Sequence, residues 1–134
     1  MDMMDQKLKN RKRLVMVVLI LTIFIVAIAG YVAYPQTVQV YALNMTTKSI
    51  NVTTLIDGNT VINSQVHVGM SGIVGYVNKP TQLNIGSHIL KAINRDFNLT
   101  VIQNFSIYGE RYILVHFMAD KISIEVKDQQ PSFA

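Results

Sequence analysis

Two patterns of apolar residues divide the chain. Residues 14–33 form a run of 20 residues that carries no charge and has Thr22 as its one aliphatic hydroxyl. A helix of that length rises about 30 Å, which matches the hydrocarbon core of a bilayer. Beyond Pro35 the apolar residues alternate with polar ones, as in half-buried strands. The pattern therefore predicts one transmembrane helix followed by an all-β domain.

The alternation repeats at strand length along residues 35–134. Between residues 97 and 107 most odd-numbered positions are apolar, and Asn98 and Asn104 fall on the opposite, polar face. Turn residues separate the runs: Asp57-Gly58 predicts a tight hairpin, and Asn78-Lys79-Pro80 predicts a loop. The spacing predicts seven to nine strands, at about residues 37–43, 48–56, 60–68, 73–77, 82–85, 88–94, 97–107, 111–119 and 121–127.

These elements predict an all-β antiparallel sandwich, immunoglobulin-like or transthyretin-like, preceded by one N-terminal transmembrane helix. The apolar run is longer than the roughly 7–15 residues of a signal-peptide core. It therefore favours an uncleaved signal anchor, although Ala27 and Ala29 supply the small residues of a cleavage site. The expected organisation is a basic tail at 1–13, a transmembrane helix at 14–34 ending in the interfacial Tyr31 and Tyr34, and the sandwich at 35–134.

Basic residues before the apolar run predict its orientation. Lys and Arg beside a span stay in the cytoplasm, so we expect a cytoplasmic N-terminus and residues 35–134 outside a cell membrane. Residues 1–13 carry a net charge of +3 and residues 35–134 only +1. The basic total thus indicates topology and lipid contact, with no nucleic-acid partner. The residues concerned are Lys7, Lys9, Arg11, Lys12 and Arg13.

Four N-x-[ST] triplets fall in the part expected outside. They make the domain a possible glycoprotein, because such triplets accept N-linked glycans in exported proteins. The alternative is that strand faces are simply rich in Asn, Ser and Thr. The acceptor residues are Asn44, Asn51, Asn98 and Asn104.

Metal, redox and cysteine chemistry have little support in this sequence. The chain has no cysteine, which excludes disulfides, zinc-thiolate sites and a cysteine nucleophile. His67, His88 and His116 lack the helical spacing of a metal motif, and only strand pairing could bring them together. We predict no metal and no cofactor.

Hydrolytic chemistry has no better support. Asp57, Asp96 and Glu110 lie in predicted turns, where we expect solvated carboxylates rather than a buried acid–base pair. Nucleotide-binding and nucleophile-elbow motifs are absent from the sequence. The chain is therefore predicted not to be an enzyme.

A series of turn motifs recurs between the predicted strands: Asp57-Gly58, Pro80-Thr81, Gly86-Ser87-His88, Arg95-Asp96-Phe97 and Gly109-Glu110. On these motifs, residues 79–117 resemble the PEGA domain family, which implies an all-β module of cell surfaces and envelopes with no catalytic residues. The family's Pro-x-Gly-Ala signature is absent, and the gap between residues 58 and 80 is longer than usual. This implies either an inserted strand pair or a match to the broader transthyretin-like and immunoglobulin-like sandwiches.

The expected function is that of a non-catalytic, membrane-anchored structural or accessory subunit. Its partners would be the lipid bilayer and other membrane or cell-envelope proteins. The alternatives are a ligand-binding, polysaccharide-binding or sensory ectodomain, which would need an aromatic-lined groove, and a metal-dependent enzyme or electron-transfer domain, which would need clustered histidines. Four outer tyrosines, Tyr41, Tyr76, Tyr108 and Tyr112, are candidates for interface anchors or for edge packing.

Overall fold

The computed structural model describes residues 3–132, and the chain divides between Tyr34 and Pro35 into two units. The first unit contains helix α1, Met3–Ala33, which has no buried residue. The hydroxyl of Thr22 donates to the Val18 carbonyl at 2.8 Å, so the polar group is satisfied within the helix. By length and composition α1 is able to cross a membrane, a criterion that an N-terminal signal sequence also meets.

The second unit contains eight strands in two four-stranded sheets. Sheet A has the order β4-β1-β7-β8, and sheet B has the order β3-β2-β5-β6. The strands are β1 Gln36–Asn44, β2 Ile50–Ile56, β3 Asn59–Val66, β4 Gly75–Leu83, β5 Gly86–Asn94, β6 Leu99–Ile107, β7 Tyr112–Phe117 and β8 Ile122–Lys127.

The predicted alternation places one apolar core between the sheets. Ile50, Val52 and Ile56 of β2 are buried, as their shared parity predicts, and Phe105 and Ile107 of β6 join them. Sheet A contributes every second residue of β1 and β7 to the same cluster. Burial of apolar area contributes about 25 cal/mol per Å². The all-β sandwich behind an apolar helix is thus confirmed at the level of layers and core.

The prediction of a purely antiparallel sandwich is wrong for one strand pair. β1 and β7 are parallel, with Gln39 opposite Tyr112 and Asn44 opposite Phe117. The chain leaves sheet B after β6 and enters sheet A at the end where β1 begins, so β7 runs in the direction of β1. Strands joined by a tight hairpin must be antiparallel, but β6 and β7 lie in different sheets. Their connection therefore leaves β7 free to run parallel to its neighbour β1.

The predicted loop at Asn78-Lys79-Pro80 is also wrong, because the strands expected at 73–77 and 82–85 form one continuous β4. Pro80 lies opposite Gln39 inside that strand. β4 is at the edge of sheet A and has only one neighbour. A proline without an N–H is tolerated on an edge strand, because its missing donor would face away from the sheet. Sequence composition cannot distinguish this case from a turn.

The tight hairpin at Asp57-Gly58 is confirmed. Both residues have positive φ, 51° and 80°, as a two-residue turn between twisted strands requires. Asn98, by contrast, does not lie on the polar face of a strand as predicted. It occupies the turn before β6 with φ 54°, a conformation that asparagine adopts more readily than most residues.

Candidate functional site

Asn44, the first of the four glycan acceptors, is buried at the end of β1 and only 4% exposed. Its amide nitrogen donates to the carbonyls of Lys48 and Val66, at 2.9 and 3.0 Å. Its amide oxygen accepts from the backbone N–H of Thr46 at 2.9 Å and from the Thr46 hydroxyl at 2.6 Å. The side chain therefore joins the β1–β2 loop to β3, and a glycan on it would require breaking these bonds.

The other three acceptors are exposed and belong to sheet B or its turns. Asn51 lies on β2, where its backbone N–H and side-chain amide donate to the carboxylate of Asp96. Asn104 lies on β6 opposite Ile89, on the face turned away from the core. Asn98 lies in the turn between β5 and β6. Glycosylation of these residues stays a prediction, now with accessible acceptors on one sheet.

His88 and Asp57 form a partly buried ion pair that sequence reasoning missed, with His88 inside and the carboxylate of Asp57 43% exposed. His88, at the start of β5, is 9% exposed, and its Nδ1 lies 2.6 Å from Asp57 Oδ2. Its Nε2 lies 2.6 Å from the backbone carbonyl of Asn84. The other carboxylate oxygen of Asp57 accepts from the Ile89 N–H at 2.9 Å. The pair thus ties the β2–β3 turn to the connection between β4 and β5.

The surroundings of this pair shift both groups toward their charged forms. Burial by itself lowers the pKa of His88, but the hydrogen bonds to Asp57 and Asn84 and the charge of Asp57 raise it above its ordinary value. Burial by itself raises the pKa of Asp57, but the hydrogen bonds from His88 and Ile89 and the charge of His88 lower it. The carboxylate of Asp57 lies in a turn and is accessible to solvent, as expected, and it also contacts the ring of His88, which favours the charged form of both groups.

A polar cleft of about 200 Å³ lies beside His88, where the β2–β3 turn faces the end of β4. Half of its lining residues carry amides or hydroxyls, and no Phe, Tyr or Trp is among the described residues that line it. The cleft is small for the 300–1,000 Å³ typical of ligand pockets. It therefore lacks the aromatic groove that a polysaccharide-binding ectodomain would need.

The three histidines do not converge on one point. His67 is hydrogen-bonded to Ser49 at 3.3 Å, and His116 lies 3.3 Å from Glu125 on the outer side of sheet A. Among residues 3–132 no group of three or more His, Asp or Glu side chains is placed to hold a metal ion.

Three of the four outer tyrosines gather on the outer face of sheet A. The rings of Tyr41 on β1 and Tyr76 on β4 are 5.8 Å apart, and Tyr112 on β7 packs against the same cluster. Burial, together with the neighbouring Tyr112 and Tyr76, raises the pKa of Tyr41 above its ordinary value. Tyr108 is separate, in the loop after β6, and 66% exposed.

The tyrosines surround a second, smaller apolar cluster, which contains Leu43 and Leu114. An adjoining cleft of about 340 Å³ is lined by both leucines and also by Val74, Pro131 and Ser132. The loop before β4 and the C-terminal segment therefore flank this face of sheet A. No sequence pattern indicated this cluster, because Tyr41, Leu43 and Leu114 only complete apolar runs in β1 and β7.

The residues predicted to set membrane topology all lie on α1 or directly after it. Lys7, Lys9, Arg11, Lys12 and Arg13 are helical and exposed in its first turns. Tyr31 is in its last turn, and Tyr34 follows with its N–H donating to Gly30 at 3.0 Å. The basic segment and the apolar run are thus one continuous helix. Their cytoplasmic and interfacial positions stay predictions.

No protein-family model, curated protein or solved structure matches this chain.

Proposed function

We propose that this protein is a non-catalytic accessory subunit of a cell membrane, anchored by α1, that presents its β-sandwich on the extracytoplasmic side. The observation that carries the proposal is the contrast in burial between the two units. α1 exposes every apolar side chain, whereas the sandwich encloses a core of its own. Apolar helix surface of this length needs lipid or another helix around it.

The orientation in the proposal rests on charge asymmetry. Five basic residues occupy the first turns of α1, and the segment from Ala33 to Met45 has no charged residue. Positive charge is retained in the cytoplasm during insertion, which places the sandwich outside. Tyr34 and Pro35 alone separate α1 from β1, so the tether between the proposed anchor and the sandwich is short. A short tether suits a subunit that works beside a membrane complex.

Within the sandwich class we propose a transthyretin-like or PEGA-like domain rather than an immunoglobulin-like one. In immunoglobulin constant domains the first two strands are neighbours in one sheet. Here β1 pairs with β4 and β7, and β2 belongs to the other sheet. Two motifs that carry the PEGA resemblance, Asp57-Gly58 and Gly86-Ser87-His88, also meet in space through the His88–Asp57 pair. This supports a common role for them as turn-fastening elements.

We place the protein-binding surface on the outer face of sheet A. Tyr112 packs against the apolar cluster of Tyr41, Leu43 and Leu114, and Tyr76, which is 47% exposed, packs against Tyr41. Leu43 and Leu114 of this cluster also line the cleft of about 340 Å³. Aromatic side chains next to an apolar depression are the usual anchors of protein interfaces. The outer face of sheet B instead carries the accessible acceptors Asn51 and Asn104, and glycans there would exclude a partner.

Photo-crosslinking in native membranes tests this function. A photoreactive phenylalanine analogue replaces Tyr76 on sheet A, and the same analogue replaces Ile102 on sheet B as the matched control. After irradiation the chain is extracted in mild detergent and its adducts are identified by mass spectrometry. We expect one protein adduct of defined mass from position 76 and none from position 102. Absence of any adduct, together with a chain that purifies alone, would contradict the accessory-subunit proposal.

A further inference from the structure

Three separate segments of the sandwich meet at the imidazole of His88. The turn after β2 supplies the carboxylate of Asp57, and the connection between β4 and β5 supplies the carbonyl of Asn84. The ring of Phe105 on β6 covers the imidazole, with ring centroids 5.5 Å apart. Asn84 lies where the chain crosses from sheet A to sheet B. The side chain of His88 therefore links the β4–β5 connection to the β2–β3 hairpin.

Both partners of the imidazole are hydrogen-bond acceptors. A carbonyl oxygen can only accept, and an ionised carboxylate can only accept, so each ring nitrogen must carry a proton for both contacts to be favourable. The neutral ring has one protonated nitrogen and one lone pair. In that form a lone pair would face either Asp57 or Asn84 at 2.6 Å, which is repulsive. The two contacts therefore favour the imidazolium over either neutral tautomer.

We propose that His88 is a pH-operated clip, which holds the Asn84 crossover against the Asp57-Gly58 hairpin when protonated and releases it when deprotonated. Release would let the crossover move away from Nε2 and widen the cleft of about 200 Å³ beside it. The device is independent of which partner the subunit binds.

The charged surroundings of the clip are simple. Among the described residues that line the cleft, Asp57 and His88 are the only ionisable ones. The groups from β6 and from the β4–β5 connection that contact the ring are the apolar Phe105 and the neutral carbonyl of Asn84. Among residues 3–132, Asp57 is therefore the ionisable side chain that acts on the ring.

The way in which stability depends on pH follows from the pKa shifts of His88 and Asp57. The pKa of His88 is raised from 6.5, so its stabilisation is complete below about that pH and is lost as the pH rises through the folded-state value. The pKa of Asp57 is lowered from 3.8, so its stabilisation is complete above that pH and is lost as the pH falls through the folded-state value. Both groups stabilise the fold between these limits, and the clip opens on the alkaline side.

Thermal unfolding of the full chain in detergent micelles, followed by the β-sheet circular dichroism signal, tests the clip. The Tm is measured from about pH 5.5 to about pH 8.5, across the range in which histidines titrate. Three variants are compared with the parent chain. His88→Gln removes the charge, Asp57→Asn keeps a residue that tolerates positive φ but removes the carboxylate, and His116→Gln is the matched histidine control on sheet A.

We expect the Tm of the parent chain to fall by roughly 5 °C as the pH rises through this range. His88→Gln should abolish that fall, Asp57→Asn should reduce it, and His116→Gln should keep it. A parent chain whose Tm does not fall, or a His88→Gln chain that falls as much as the parent, would overturn the proposal.

A second measurement on the parent chain does not depend on the variants folding. Nitrogen NMR shifts of the His88 ring should show both nitrogens protonated at about pH 6 and one tautomer at high pH. Amide hydrogen exchange in residues 84–88, corrected for the intrinsic pH dependence, should accelerate over the same pH interval. A ring that is already neutral at about pH 6, or exchange that does not follow the titration, would also overturn the clip.

Discussion

The two sheets of the sandwich differ most in the faces they turn away from the common core. On sheet A that face carries a buried apolar cluster, with Leu43 and Leu114 inside and tyrosines packed around them. On sheet B that face is open to solvent. Its polar residue Asn104 is exposed, and so are its apolar residues Ile89 and Ile102. Sheet A is therefore packed on both sides, whereas sheet B is packed on one.

This difference explains why the two sheets suit different tasks. An apolar outer face next to a cleft offers buried area to a protein partner. A polar face with exposed acceptors offers solubility and room for glycans. The proposed function would use both faces, because a wholly apolar surface would aggregate and a wholly polar one would offer little buried area to a partner.

Truncation of one aliphatic side chain on each outer face should give the largest contrast. Leu114→Ala removes a side chain that is 3% exposed, so we expect a loss of about 2–4 kcal/mol in the free energy of unfolding. Ile102→Ala removes one that is 65% exposed, so we expect a change within about 0.5 kcal/mol. Chemical denaturation of the two variants in the same detergent measures both. Equal effects would show that the outer faces do not differ in packing.

A second contrast compares two acceptor asparagines. Asn44→Ala removes the donor to the Val66 carbonyl and the acceptor of the Thr46 N–H, and it leaves the Lys48 carbonyl with the Thr46 hydroxyl alone, which should cost about 2 kcal/mol. The matched variant is Asn104→Ala on the open face of sheet B, where we expect a cost within about 0.5 kcal/mol. The same denaturation experiment measures both values. A tolerated Asn44→Ala would mean that the β1–β2 loop is held by other contacts.

Glycan occupancy should have the smallest effect on stability, but it distinguishes the buried acceptor Asn44 from the exposed acceptors. In a host that glycosylates exported proteins, the folded chain should carry glycans at Asn51, Asn98 and Asn104 and none at Asn44. Mass spectrometry of proteolytic peptides, with and without glycosidase, measures occupancy at each residue. A folded chain modified at Asn44 would contradict the hydrogen-bonded role of that side chain, and unmodified residues on sheet B would remove the glycan face.

Periodicity predicted the elements of this fold because it reports which face of each strand meets the core. It placed the apolar helix and the inward residues of β2 and β6 correctly, and turn chemistry placed the Asp57-Gly58 hairpin. It failed where the answer depends on strand neighbours. Pro80 marks a turn in most sequences, and only its position on an edge strand makes it compatible with β4.

The candidate site was less accessible to sequence reasoning for the same reason. His88 and Asp57 are 31 positions apart and become partners only when β5 pairs with β2. The burial of Asn44 depends on β3 and on its own loop, which the Asn-x-Thr triplet does not reveal. Resemblance to PEGA domains singled out the Asp-Gly and Gly-x-His motifs as turn elements, without indicating that they touch.

The placement of the sandwich outside the membrane is the claim on which the proposed function depends, and the cysteine-free sequence allows a direct test. Single cysteines are introduced as Ile102→Cys on sheet B and Gln6→Cys on the basic part of α1, both at exposed positions. Intact cells are treated with a membrane-impermeant maleimide, and the membranes are then washed with alkaline carbonate. The account predicts that the cysteine at 102 is labelled before lysis, that the cysteine at 6 is labelled only after lysis, and that both chains stay in the membrane at full length. Labelling in the reverse order, or a shortened chain in the soluble fraction, would contradict it.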